Sequence, residues 1–154
     1  MAEGIPSGQV VNILEDNAGT IWLDLEYEGF ANYQPTSDAP LVWIESGSKN
    51  MIPGERGIFT CDGHDYLNVT RKEDLVYSWR VVDDTQHTVL QDWSPYSLQK
   101  TIMTPRMLPG RYQLQVRSQD KDRNTSRVSA SLGFTVAPYF WTTPHFLILL
   151  FPLQ

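Results

Sequence analysis

The chain reads as an all-β protein built on a two-sheet β-sandwich, and three observations predict it. Short runs of alternating apolar and polar residues recur between clusters of Gly, Pro, Asn and Asp, the pattern of half-buried strands joined by turns. No window from 41 to 138 carries a sustained helical apolar period. Five Trp and seven Tyr in 154 residues favour strands, whose pleated surfaces pack aromatic side chains well. Many short strands with regular turn signals argue for two packed sheets.

Residues 9–33 open the chain as strand, turn, strand, turn, strand. Gln-Val-Val-Asn-Ile-Leu and Ile-Trp-Leu-Asp-Leu flank an Asp/Asn/Gly cluster, which is a hairpin signal. A Gly-containing turn at Gly29 then leads into Phe30-Ala31-Asn32-Tyr33. A sheet of that size is marginal alone, so it reads as a blade-like piece of something larger. Residues 35–40, polar and Pro-flanked, form a linker.

The second part begins with the apolar run 41–44. Residues 46–57 are expected as loop, 57–61 as a strand and 62–65 as a turn, with 66–69 a further apolar piece. In 74–82, Leu75, Tyr77, Trp79 and Val81 share one face of a strand. A turn or short hairpin connection covers 83–91, and a strand of weaker pattern covers 97–103. Leu108-Pro109-Gly110-Arg111 suits a type II turn, with proline pre-setting φ and Gly110 taking a positive φ. Tyr112, Leu114 and Val116 then face one way, and Gln113, Gln115 and Arg117 the other. This stretch is the expected penultimate strand. A turn at 120–124 and a last strand at 131–136 complete the series.

Net charge is −6 and pI ≈ 4.9, which argues against a phosphate-binding surface and so against a nucleic-acid partner. The single Cys61 excludes an intrachain disulfide and a thiolate zinc site. The N-terminus shows neither a basic n-region nor an apolar h-region. Residues 146–153 are almost wholly apolar, but a spanning helix needs about 20 such residues. They are either a core strand or the opening of a longer membrane segment.

Two runs carry a family resemblance. Val11-Asn12-Ile13-Leu14-Glu15-Asp16-Asn17-Ala18-Gly19-Thr20-Ile21-Trp22-Leu23 resembles the two-component regulator propeller repeat, with Asp24 where the repeat usually has Gly. Residues 75–81, Trp93-Ser94-Pro95, 108–117, 120–124 and 132–138 are similar to the triple-tyrosine (Y_Y_Y) domain. Tyr139-Phe140-Trp141 resembles the aromatic stretch leading such domains into a transmembrane helix. The resemblance implies a partial propeller repeat at 1–34, a linker at 35–40, an immunoglobulin/fibronectin-like sandwich at 41–138 and a juxtamembrane segment at 139–154. The single repeat and the short tail imply a fragment.

The implied function is a non-catalytic sensor segment, periplasmic, joining a ligand-sensing propeller to a membrane helix and a cytoplasmic output domain elsewhere. The implied partners are a second copy through the sandwich, a small-molecule or oligosaccharide ligand through the propeller, and the membrane. The motif residues are Trp22, Tyr77, Trp79, Trp93, Pro109, Gly110, Tyr112, Phe134, Pro138 and Trp141, and residues 138–146 are the expected coupling junction.

Candidate chemistry is sparse. Asp120, Asp122 and Asn124 have the opening spacing of a calcium loop, but Thr125 and Ser131 replace its Gly and Glu, so a solvated turn is expected. His64, His87 and His145 share no ligand spacing, and no metal or cofactor is implied. His64 beside Asp65, with Asp62, forms the only catalytic hint, without a nucleophile motif. Asn68 and Asn124 begin glycosylation sequons by spelling. Trp22, Trp43, Trp79, Trp93 and Trp141 could offer a sugar-stacking platform, giving a carbohydrate-binding or adhesion sandwich as the alternative function. Trp22 and Trp79 are expected instead as core or near-core anchors, Tyr112 as core, and Trp141 as interfacial.

Overall fold

The computed structural model describes residues 9–27, 29–65 and 70–142. The apolar piece 66–69 with its sequon, His145, and the apolar run 146–153 lie outside the described residues. The chain divides into two units, Met1–Ser37 and Asp38–Gln154.

The first unit is an antiparallel meander of β1 (Val10–Glu15), β2 (Ile21–Leu25) and β3 (Gly29–Tyr33), in the order β1-β2-β3. Its first turn is built on Asp16. That carboxylate accepts from the backbone N–H of Ala18 and of Thr20 and from the Trp22 indole Nε1–H at 2.9 Å. The Trp22 indole bond leads in holding Asp16 below the usual carboxylate range. Gly19 supplies the positive φ that closes the turn. Trp22 is 39% exposed, which corrects its expected place in a core: the indole folds back over the turn to reach Asp16.

The second unit is the sandwich. One sheet runs β5-β11-β10-β7-β8 and the other β4-β6-β9. The strands are β4 (Leu41–Gly47), β5 (Asn50–Met51), β6 (Arg56–His64), β7 (Val76–Asp83), β8 (Val89–Gln91), β9 (Thr101–Arg106), β10 (Gly110–Gln119) and β11 (Ala130–Val136). A 3₁₀ turn, Phe140–Thr142, follows β11. Alternation decides what goes inside. Phe59 and Cys61 of β6, Tyr77 and Val81 of β7, Leu114 and Val116 of β10, and Phe134 and Val136 of β11 form one buried cluster with Leu75. Phe134 joins the two sheets, 5.1 Å from Phe59 and 5.6 Å from Tyr112 between ring centres.

Four expectations need correction. Residues 46–57 are not all loop: β4 runs to Gly47, and β5 pairs in parallel with β11, burying Met51. Residues 62–64 continue β6 rather than turning, because their backbone pairs with Leu41 to Trp43. The strand expected at 97–103 starts at Thr101 and ends at Arg106. It tolerates Pro105 because β9 is an edge strand.

The fourth correction is at 108–111. Gly110 does not take a positive φ and opens β10, paired to Val136, so the turn is not type II. Glycine is needed there for a different reason. The Tyr112 hydroxyl folds back to donate to the Leu108 carbonyl at 2.7 Å, and a Cβ on residue 110 would sit 2.8 Å from that hydroxyl. A tyrosine near the start of the penultimate strand, bonded to backbone just upstream, is the tyrosine corner of immunoglobulin-like sandwiches.

Candidate functional site

Three side-chain groups on the sandwich stand out, two of them polar and one aromatic. The first gathers on Asp62, which the continuation of β6 buries to 6% exposure. Its Oδ1 accepts from Lys100 Nζ at 2.8 Å and from the Tyr77 hydroxyl at 3.4 Å, and its Oδ2 pairs with Lys72 Nζ. Burial pushes the Asp62 carboxyl up, but the bonds from Lys100, Lys72 and the Gly63 N–H outweigh it and hold the group well below the carboxylate range. The same buried charge acts on its neighbours. Burial and Asp62 together raise the Cys61 thiol to about 11 and keep the Tyr77 phenol protonated.

His64 lies outside that group. It is exposed and meets Trp43 edge-on at 5.8 Å. Asp65 is buried and accepts the Thr70 N–H at 2.8 Å. The three residues of the catalytic hint thus have different immediate partners, and Lys72 links two of them, pairing with Asp62 while lying 5.8 Å from the Trp43 ring that His64 meets.

The second group lies on the outer side of the five-stranded sheet. Residues 92–97 run along the edge of β7: Ser94 N–H bonds the Trp79 carbonyl at 2.8 Å, and Tyr77 and Ser97 exchange both backbone bonds. This strap lays Trp93 across the sheet. The Arg117 guanidinium sits 4.2 Å from its ring centre and that of Arg80 4.8 Å, with Arg117 also 5.1 Å from Tyr96. Arg80 Nε donates to Gln115 Oε1, and Gln115 Nε2 to Gln113 Oε1, both at 2.7 Å. The Arg117 Nε–H is buried without a hydrogen-bond partner, as expected of a guanidinium lying on aromatic rings.

The third group closes the sandwich. After the exposed Pro138, Tyr139 and Trp141 stack at 4.7 Å with 15° between planes, and Phe140 meets Trp141 edge-on. Phe140 and Trp141 stay largely exposed.

The remaining motif residues are structural. Tyr112 and Phe134 are core, Trp79 packs partly buried against that core, and Pro109 and Gly110 form the corner under Tyr112. At the Asp120 turn, Oδ1 accepts the Asn124 N–H and Oδ2 its Nδ2–H, both at 2.8 Å, so that carboxylate is spent on its own turn. Sequence reasoning missed Lys72, Lys100 and Arg80. The lysines carry no local signal, being far from Asp62 in the chain. Arg80, like Arg117, stands on the polar side of an alternating strand, and that parity was available.

No family model matches this chain, and no curated protein does. Among solved structures, it is similar to the extracellular domain of BT3049 from B. thetaiotaomicron, assigned to a hybrid two component system. That match has a TM-score of 0.54 at 13% identity over 82% of this chain and 20% of the other. The fibronectin(III)-like modules of CbhA from Clostridium thermocellum match at TM-score 0.46 and 14% identity, over 77% of this chain and 60% of theirs. CopC from Methylosinus trichosporium OB3b matches at TM-score 0.41 and 14% identity, over 64% of this chain and 96% of its own. The chain therefore spans 20% of the length of the hybrid two component structure. At these identities the likeness is one of fold: a β-sandwich.

Proposed function

We propose that this chain is a non-catalytic, extracytoplasmic segment of a two-component-type sensor. In this reading the three-stranded meander is part of a ligand-sensing propeller, and the sandwich, paired with a second copy, relays the sensed event. The relay runs through 138–146 to a membrane helix and an output domain elsewhere in the polypeptide. The observation that carries it is the fold match to an extracellular domain of a hybrid two component system, which takes in 82% of this chain.

Two local features agree. Asp62 is neutralised by two lysines and Asp65 accepts the Thr70 N–H, which suits a structural role better than an active site. The exposed Phe140 and Trp141 follow the last strand directly, where an aromatic interfacial belt belongs if a membrane begins there. Among the described residues, no helix is long and apolar enough to cross a membrane. The alternative, a sugar-stacking sandwich centred on Trp93, is weakened because two guanidinium groups already lie against that ring.

Cysteine labelling in intact cells tests the placement. Thr85 is exposed in the β7–β8 connection, and the native Cys61 is buried with its thiol raised to about 11, so it stays protonated and unreactive. Thr85→Cys in the full-length protein is expected to react with a membrane-impermeant maleimide before lysis, while the parent does not. Labelling that appears only after lysis places the segment in the cytoplasm and ends this reading.

A further inference from the structure

We infer that the open half of the β11 edge, from Ala130 to Phe134, docks an extended peptide that adds there as a further strand and puts an apolar side chain into the adjoining cavity. β10 lines one side of β11 from end to end, but on the other side β5 covers only Thr135 and Val136. The Thr135 N–H bonds to the Lys49 carbonyl, away from β10. The β10–β11 pairing runs without a register shift, so its alternation also turns the N–H and C=O groups of Ser131 and Gly133 away from β10. Both residues are exposed. Among the described residues, no backbone group pairs with them on that side.

The other edges of the sandwich are defended. β9 ends in Pro105 and Arg106 and pairs irregularly with β6, and β4 carries Glu45 and a register shift between Ile44 and Ser46. β5 and β8 are 2 and 3 residues long. Proline, charge, bulges and brevity are the means by which native sheets keep foreign strands off an edge. The run Ala130-Ser131-Leu132-Gly133-Phe134 holds no proline, no charge and no bulge. It ends where Lys49 arrives at Thr135, so the guest strand is short.

The site also has a place for a side chain. A cavity of about 420 Å³ adjoins the open stretch, walled by Pro40, Leu41 and Val42 at the start of β4 and by Val128, Ser129 and Ala130 leading into β11. Apart from Ser129 and Arg127 its lining is apolar, and Leu41 and Val128 are more than half exposed. A strand laid along Gly133 and Ser131 continues past Ala130 over this cavity. Outward N–H and C=O groups at two-residue spacing are complementary to another peptide backbone, which is what selects a peptide over a sugar or a small anion. In such strand addition the main-chain bonds give affinity and the pocket chooses the side chain.

Titrate the isotope-labelled whole chain with three capped heptapeptides that alternate Thr with Val, Leu or Phe, following the backbone amides by nuclear magnetic resonance. At least one peptide is expected to shift the Ser131 and Gly133 amides and to slow their hydrogen exchange. The same peptides N-methylated at alternate residues keep their side chains but cannot pair along one edge, and should not bind. Ser131→Pro removes one outward donor where an edge strand tolerates proline, and should weaken binding by about tenfold or more. Val128→Asp puts a charge at the mouth of the cavity; it should leave thermal unfolding unchanged and weaken binding too. No response at Ser131 and Gly133 to any of the three peptides at about 1 mM overturns the inference, as does equal binding of the N-methylated forms. If these amides are protected without peptide as protein concentration rises, the edge belongs to a second copy of this chain and the peptide site falls. The inference does not depend on the extracytoplasmic reading, so each outcome stands apart from the labelling result in cells.

Discussion

At the scale of single residues, the most informative contact is the Tyr112 hydroxyl on the Leu108 carbonyl. It explains two neighbours at once. Pro109 holds the approach to β10, and Gly110 must lack a Cβ because the tyrosine ring occupies that space. Tyr112 is 5% exposed, so its hydroxyl has little water to turn to if the bond is lost. Tyr112→Phe should cost about 1–2 kcal/mol, the usual loss for one intramolecular hydrogen bond whose acceptor is left partly dry. Gly110→Ala should cost about 1–3 kcal/mol, since the ring and its hydroxyl must move together. In the double variant the hydroxyl bond is already gone, so the alanine should add less than it does alone. Urea unfolding of the four proteins measures this. Additive costs remove the account of Gly110 as space for the tyrosine.

At the scale of elements, Asp62 ties three pieces of chain: β6, the 70–75 segment through Lys72, and the approach to β9 through Lys100. The sign of its pH effect follows from its depressed pKa. The folded state holds the carboxylate more tightly than the unfolded chain, whose ordinary value is 3.8. That stability is present above this value and lost as pH falls through the ordinary carboxylate range towards the lower folded one. Lys72, whose pKa is raised mainly by its bond to Asp62, works in the other direction. Its share is present below 10.5 and is lost as pH rises beyond it. Asp62→Asn should therefore destabilise the sandwich at neutral pH by about 1–3 kcal/mol and flatten the acid limb of the stability curve. Both lysines are part-exposed, so water can take up their charges and the cost stays below that of a fully buried broken pair. Equal acid sensitivity in parent and variant would place the acid-labile group elsewhere.

The element scale also shows what the sequence makes legible. Strands with clean alternation, such as β7, β10 and β11, can be read directly, because each buries one face of side chains against the other sheet. Met51 could not be found that way. Its strand is two residues long and exists only because the edge of β11 accepts it in parallel. Asp62 to His64 look like a turn because Asp and Gly favour turns, yet pairing with β4 overrides that local preference. The outer side of the five-stranded sheet was half legible: parity put Arg117 and the glutamines on the outside, but nothing local could place Trp93 over Arg80. The strap that does so is held by backbone bonds to β7, which leave no mark on composition.

At the scale of the whole molecule, the two units differ in what they bury. Every member of the sandwich's buried cluster lies between Met51 and Val136, and strands from both sheets contribute to it. In the first unit, among the described residues, the buried apolar side chains are Leu23 and Leu25, while Val11, Ile13 and Leu14 of β1 are more than half exposed. A three-stranded sheet with so small a core is not expected to hold in water by itself. A polypeptide of residues 38–142 should therefore give dispersed amide resonances and one cooperative denaturant transition, whereas a peptide of residues 9–37 should show the circular dichroism of an unfolded chain. The comparison is decisive in both directions. If the shorter peptide forms a stable sheet, its exposed apolar strand is not a surface awaiting neighbours, and the reading of it as one blade of a larger propeller loses its physical basis. If residues 38–142 lose cooperativity, the core assigned to the sandwich is incomplete, and residues outside that span must supply part of it.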